Sequence, residues 1–79
     1  MKINVNYYAM FREQAGYSGE VVEAGCGDAV ALFERLKETH GFSMGRSHVR
    51  LAVNDALVGW DAPLNDGDQI VFIPPVAGG

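Results

Sequence analysis

The sequence predicts an α+β domain in which a mixed, curled sheet of four to five strands packs on one main helix. Three observations lead there. One stretch, "DAVALFERLKETHG", carries start and stop signals for a helix. Several short segments elsewhere alternate apolar and polar residues as strands do. A single helix covers only one face of a sheet, so the sheet must curl around it.

The first half of the chain supplies two strands and the helix. In "KINVNYY", Ile3, Val5 and Tyr7 alternate with Lys2, Asn4 and Asn6, a half-buried strand. Residues 11–19, "FREQAGYSG", contain two glycines and are expected to turn. "EVVEA" (20–24) closes a hairpin with the first strand. Asp28 is suited to cap the helix, because its carboxylate can accept the free amides of the first turn. Ala29, Leu32, Phe33, Leu36 and His40 then recur at helical spacing, and Glu34, Arg35, Lys37 and Glu38 take the wet side. Gly41 is the expected cap at the other end, placing the helix at 28–40.

"HVRLAVN" (48–54) alternates again, with Val49, Leu51 and Val53 inward and His48, Arg50 and Ala52 outward. A turn at Asn54-Asp55 leads to a short edge strand, "ALVGW" (56–60). "NDGD" (65–68) is a turn in which Gly67 is free to take positive φ. The last strand, "QIVFI" (69–73), is apolar on both sides, so it is either central and covered or presents one face to a partner. With the first and last strands as neighbours, Ile3, Val5, Ile70 and Phe72 meet the helix. Tyr8, Leu57, Val71 and Ile73 are then the candidates for the other face.

Size and charge set bounds. Seventy-nine residues make one domain, expected as a body over 1–75 and a flexible tail over 76–79. Cys26 stands alone, which excludes an internal disulfide and a cysteine zinc site. The run "MKINVNYY" lacks the apolar stretch of a signal peptide, and no segment approaches a membrane span. The expected setting is cytoplasmic, away from membranes. The formal net charge of −4 is opposite in sign to that of nucleic-acid binders, so no nucleic acid is expected. An acidic surface suits basic partners, and it also serves plain solubility.

The chain closes with "FIPPVAGG". Pro74 and Pro75 lack N–H groups and favour extended backbone, so they end the sheet pairing and hold the last four residues away from the body. Gly78 and Gly79 have no Cβ and pass close to walls that would stop other residues.

Taken together, "YYAMFRE" (7–13), "AVN" with "LV" (52–54 and 57–58), "PLNDGDQIVFIPP" (63–75) and the final "PVAGG" resemble the small, sulfur-carrying subunits of molybdopterin synthase, which are ubiquitin-like β-grasp proteins. The resemblance covers essentially the whole chain. It implies a ubiquitin-like β-grasp fold. It also implies a terminal carboxylate on Gly79 that an ATP-dependent activating enzyme adenylylates and that becomes a thiocarboxylate. The tail would then enter the large subunit of the synthase and give sulfur to the cyclic pyranopterin precursor. Gly78 would give clearance, and Pro74, Pro75, Val76 and Ala77 would position the tail. ATP would be used by the activating partner, and no cofactor or metal would be bound by this chain. Two small and two large subunits would assemble, with the small subunit itself non-catalytic.

The remaining residues have two readings each. Val71, Ile73 and Leu57 form either a docking face with an apolar centre or a second core under a loop. Tyr8 is a partner contact or a packed tyrosine, and Arg12 a partner contact or a solvated cation. Where the family has an aromatic before the proline pair, this chain has Ile73. Cys26 precedes the helix N-terminus, where a thiolate is favoured. No motif brings His40 or His48 beside it, and a loop cysteine is the expected role. Two rivals stay open: a carrier serving thiamine or tRNA and protein modification, and a ubiquitin-like binding module whose tail is inert.

Overall fold

The computed structural model describes residues 1–25 and 27–75. Five strands form one sheet: β1 (Lys2–Asn6), β2 (Gly19–Glu23), β3 (Arg50–Val53), β4 (Ala56–Val58) and β5 (Gln69–Ile73). Two helices, α1 (Ala9–Ala15) and α2 (Ala29–His40), and a short 3₁₀ turn (Arg46–His48) complete it. The spatial order is β2-β1-β5-β3-β4. β1 and β5 run parallel, while the other three pairings are antiparallel. This is the ubiquitin-like β-grasp arrangement, with the last strand in the middle of the sheet.

Register assigns each side chain to a face. Val5 lies opposite Ile70, Ile3 opposite Val22, and Leu51 opposite both Phe72 and Val58. These face the helices, where Ile3, Val5, Leu51, Ile70 and Phe72 are buried to within about 1% of their surface. The ring of Phe33 from α2 meets that of Phe72 edge-on at 5.0 Å, and Phe11 from α1 meets Phe72 at 6.3 Å. Each such side chain contributes roughly 1.5–3 kcal/mol by burial, with edge-to-face geometry adding to it.

α2 forms as its ends dictate. Asp28 Oδ1 accepts the amides of Val30 at 2.9 Å and Ala31 at 3.2 Å. Gly41 takes φ 71° and its N–H donates to the Lys37 carbonyl at 2.8 Å, a left-handed cap that a side chain would strain. Ala29, Leu32, Phe33 and Leu36 are buried along one stripe.

Two expectations are corrected. Residues 11–19 do not simply turn: Ala9–Ala15 is a helix, so β1 and β2 are antiparallel neighbours without being a hairpin. "AMFREQA" is built of good helix formers, and fully buried Phe11 pins it to the core. The bend comes only at Gly16, with φ 88°. Alternation turns Ala52 outward, towards solvent. It does face away from the helices, yet it is only 8% exposed, because Val71 and Leu57 flank it on neighbouring strands.

The loops follow their residue chemistry. Asn54 and Asp55 both have positive φ, 51° and 69°, in the two-residue connection of β3 to β4. Asp68 accepts the Asn54 side-chain amide and the Asn65 backbone amide, while Asp66 accepts the Lys2 amide at 2.6 Å. These carboxylates hold the turn that feeds β5, as turn chemistry predicts.

Candidate functional site

β5 has a ladder on both sides, to β1 and to β3, and leads directly into Pro74 and Pro75. Pro74 is partly buried and Pro75 exposed. Val76, Ala77, Gly78 and Gly79 lie outside the described residues, as does Cys26.

The face opposite the helices carries the other candidates. One row crosses the sheet as Asn6, Val71, Ala52 and Leu57, each directly opposite the next. The adjacent row, nearer the prolines, pairs Ile73 with Arg50. Val71 and Ile73 are half-buried by their strand neighbours, while Leu57 on the edge strand is 61% exposed. The structure thus brings Leu57, Val71 and Ile73 into one apolar patch at the end of β5 from which the prolines depart. Among the described residues no loop or helix covers Leu57, so its reading as part of a second core does not hold.

Tyr8 lies two residues beyond Asn6 in extended backbone and is 56% exposed. It is therefore not a packed tyrosine. Its carbonyl accepts the Phe11 and Arg12 amides at 3.1 and 3.4 Å, which starts α1. Ala9, between them, has φ 50°, a left-handed conformation that costs a residue with a Cβ roughly 1–2 kcal/mol. Arg12 is exposed on α1 and has neither ion pair nor side-chain hydrogen bond among the described residues.

Behind Tyr8 the backbone is braced by a polar cluster. Tyr7 donates its hydroxyl to Glu20 Oε2 at 2.5 Å, and the His40 ring nitrogen Nε2 lies 2.7 Å from the same oxygen. The rings of Tyr7 and His40 meet edge-on at 5.6 Å, with Tyr17 against both. Burial pushes the Glu20 carboxyl upward. Hydrogen bonds from Tyr7, His40 and Tyr17 and the charge of His40 together outweigh it, holding the group below its ordinary value. Burial, then the hydrogen bond to Glu20, push the Tyr7 hydroxyl far above its ordinary range. Spacing alone places His40 on an apolar stripe. It serves instead to tie the end of α2 to β2 through Glu20. No spacing along the chain reveals that pairing, which joins residues on different elements.

Residue patterns also do not show that Ala52 and Asn6 complete the outer row, or that Arg50 stands beside Ile73. Alternation turns Arg50 outward; only the β3–β5 register shows what it borders. Among the described residues no three His, Cys, Asp or Glu side chains converge as a metal site, and no helix is long and apolar enough to cross a membrane. An exposed apolar patch, continuous with a proline-stiffened exit from a central strand, is suited to docking against a second protein while presenting the chain end.

Known proteins resemble the chain in sequence and in fold. Residues 5–79 match the ThiS family. The chain is similar to the molybdopterin synthase sulfur carrier subunit of Escherichia coli, 34% identical over 80 residues that cover 98% of this chain and 99% of that one. Its likeness to the molybdopterin synthase sulfur carrier subunit of Mycobacterium tuberculosis is 36% over 84 residues, covering 100% and 99%. Among solved structures, it superimposes with a TM-score of 0.71 and 29% identity on a chain of the complex between subunits 1 and 2 of the Helicobacter pylori molybdopterin-converting factor, with 100% of both chains covered. Matched along nearly its whole length, from the first strand to the final glycine pair, the chain belongs to the ThiS family.

Proposed function

We propose that this chain is the sulfur-carrying small subunit of molybdopterin synthase, acting in the cytoplasm. The observation that carries the reading is full-length likeness to two molybdopterin synthase sulfur carrier subunits at 34% and 36% identity. The solved complex between the two subunits of the Helicobacter pylori factor supports a large-subunit partner.

The chemistry is that of the end group. A carboxylate is a poor electrophile because oxide would have to leave. In the proposed activation the Gly79 carboxylate attacks the α-phosphorus of ATP, and pyrophosphate departs. The outer sulfur of a donor persulfide then attacks the acyl carbon and AMP departs; a second thiol attacks the donor sulfur of the resulting acyl disulfide, forming a disulfide with the donor and releasing the thiocarboxylate. The activating enzyme binds the ATP, since the sequence holds no phosphate loop. The large subunit docks on the patch of Leu57, Val71 and Ile73, with Tyr8 and Arg12 as further contacts. It supplies the acid, the base and the pterin pocket in an assembly of two small and two large subunits. Four residues beyond Pro75 reach on the order of 13–14 Å when extended, enough to enter a recessed site from a docked body.

The test is intact-mass measurement after incubation with the activating enzyme, ATP and a sulfur source. The expected product gains the mass difference between sulfur and oxygen. A chain lengthened by one residue after Gly79 is expected to bind the large subunit and form no thiocarboxylate; full activity of that variant would refute the reading. Capture of a thiazole-forming enzyme in place of the large subunit would redirect the sulfur to thiamine.

A further inference from the structure

Within the outer rows of the sheet, the apolar patch is bordered by one charge, Arg50, that no other side chain neutralises among the described residues. In the two rows nearest the prolines the outward residues are Asn6, Val71, Ala52, Leu57, Ile73 and Arg50. Arg50 alone among them is ionisable. It is exposed, and its backbone position is fixed by pairing with Ile73, the residue before Pro74. It has neither ion pair nor side-chain hydrogen bond among the described residues.

Of the other arginines, Arg12 is likewise exposed and unpaired among the described residues, but it lies on α1 and not in the outer rows of the sheet. Arg35 donates to the Glu23 carbonyl, and Arg46 lies 5.7 Å over the Trp60 ring. Among the described residues Arg50 stays without such a contact, in a chain with ten acidic and six basic residues. The acids that do lie near β5, Asp66 and Asp68, sit at its opposite end and are occupied by Lys2, Asn54 and Asn65. Among the described residues the Arg50 guanidinium is therefore left without an anion beside the end of β5.

We propose that Arg50 is a recognition residue for the protein that receives the tail, and that this protein presents a carboxylate at the rim of its apolar recess, opposite Arg50. The inference rests on the docking face proposed for the large subunit and adds the chemistry of the partner to it. A guanidinium is suited to the role: its planar fork takes a carboxylate through two parallel hydrogen bonds, and its methylene stem can lie along Ile73. Held at the edge of an apolar contact, the pair is partly shielded from water. It fixes the rotation of the docked body and hence the direction in which the tail leaves it.

The experiment measures binding of the large synthase subunit from the same organism by calorimetry, from about 50 to about 500 mM salt. The chains compared are the full-length native chain, Arg50→Gln, Arg50→Glu and Leu57→Asp. The native chain is expected to bind less tightly as salt rises. Arg50→Glu should lose on the order of 10- to 100-fold at low salt and recover part of that as salt screens the new repulsion. Arg50→Gln should lose less and show a flatter salt response. Arg50 removes nothing from the core, so unfolding temperatures should stay close to native; should Arg50→Glu not fold, Arg50→Gln carries the test through its salt response. If both Arg50 variants bind with native affinity and native salt dependence while Leu57→Asp does not bind, the docking face stands and the role of Arg50 is overturned. If Leu57→Asp also binds as the native chain does, the docking face itself is wrong and the inference falls with it.

Discussion

Leu57 gives the sharpest measure of the docking face. Truncation to alanine removes three carbons, each contributing ~0.8 kcal/mol when fully buried. In the free chain the residue is 61% exposed, so docking has about 1.5 kcal/mol left to gain from those carbons. Leu57→Ala should therefore weaken binding of the large subunit roughly tenfold. It sits on a three-residue edge strand outside the core, and its unfolding free energy should change by no more than about 0.5 kcal/mol. Calorimetric titration of the large subunit, paired with a urea unfolding curve, separates the two effects. A Kd within twofold of native would refute the reasoning, because it would mean that Leu57 stays in water in the complex. A large loss of stability would refute it differently, by showing that the residue belongs to the core after all.

The Glu20 cluster predicts how stability depends on pH. The Glu20 carboxyl sits below its ordinary value of 4.5 in the fold, so its contribution is complete above that value and is lost as pH falls through the folded one. The Tyr7 hydroxyl sits above its ordinary 10.0, so its contribution is complete below pH 10.0 and is lost as pH rises beyond it. Urea unfolding across both ranges should show both declines in the native chain, with the acid limb flattened in Glu20→Gln; an unchanged acid limb would remove Glu20 as its source. Asp28→Ala deletes the acceptor of two first-turn amides and should cost about 1 kcal/mol, measured by the same unfolding curves, whereas Asp28→Asn should cost much less. Asp55→Gly relieves a positive φ of 69° and should stabilise by roughly 0.5–1 kcal/mol; a decrease in melting temperature would count against the turn as described.

Much of the fold is legible in residue patterns because its signals are local. Asp28 and Gly41 mark the ends of α2 by satisfying orphan amides and by adopting a left-handed conformation. Asn54-Asp55 and Gly67 mark turns for the same kind of reason. The helix over Ala9–Ala15 is not legible. Its N-terminal residue, Tyr8, offers no side-chain cap, it spans two turns, and a single side chain, Phe11, anchors it. What specifies it is the hydrophobic layer formed by Phe33, Phe42 and Phe72, which lie far along the chain. The same limit applies to the site. Alternation correctly turns Leu57, Val71 and Ile73 away from the helices, but that they adjoin through Ala52 is a matter of register between strands. The burial of Ala52 and the link from His40 to Glu20 depend on such long-range placement too.

The central position of β5 has a mechanical consequence. Its backbone is bonded on one side to β1 and on the other to β3. A pull on the chain beyond Pro75 acts along the strand, so it loads both ladders in shear and must break many bonds at once, whereas an edge strand would unzip one bond at a time. A deep cleft can therefore grip and draw in the terminal residues while the body stays intact, and the same body can be withdrawn and used again.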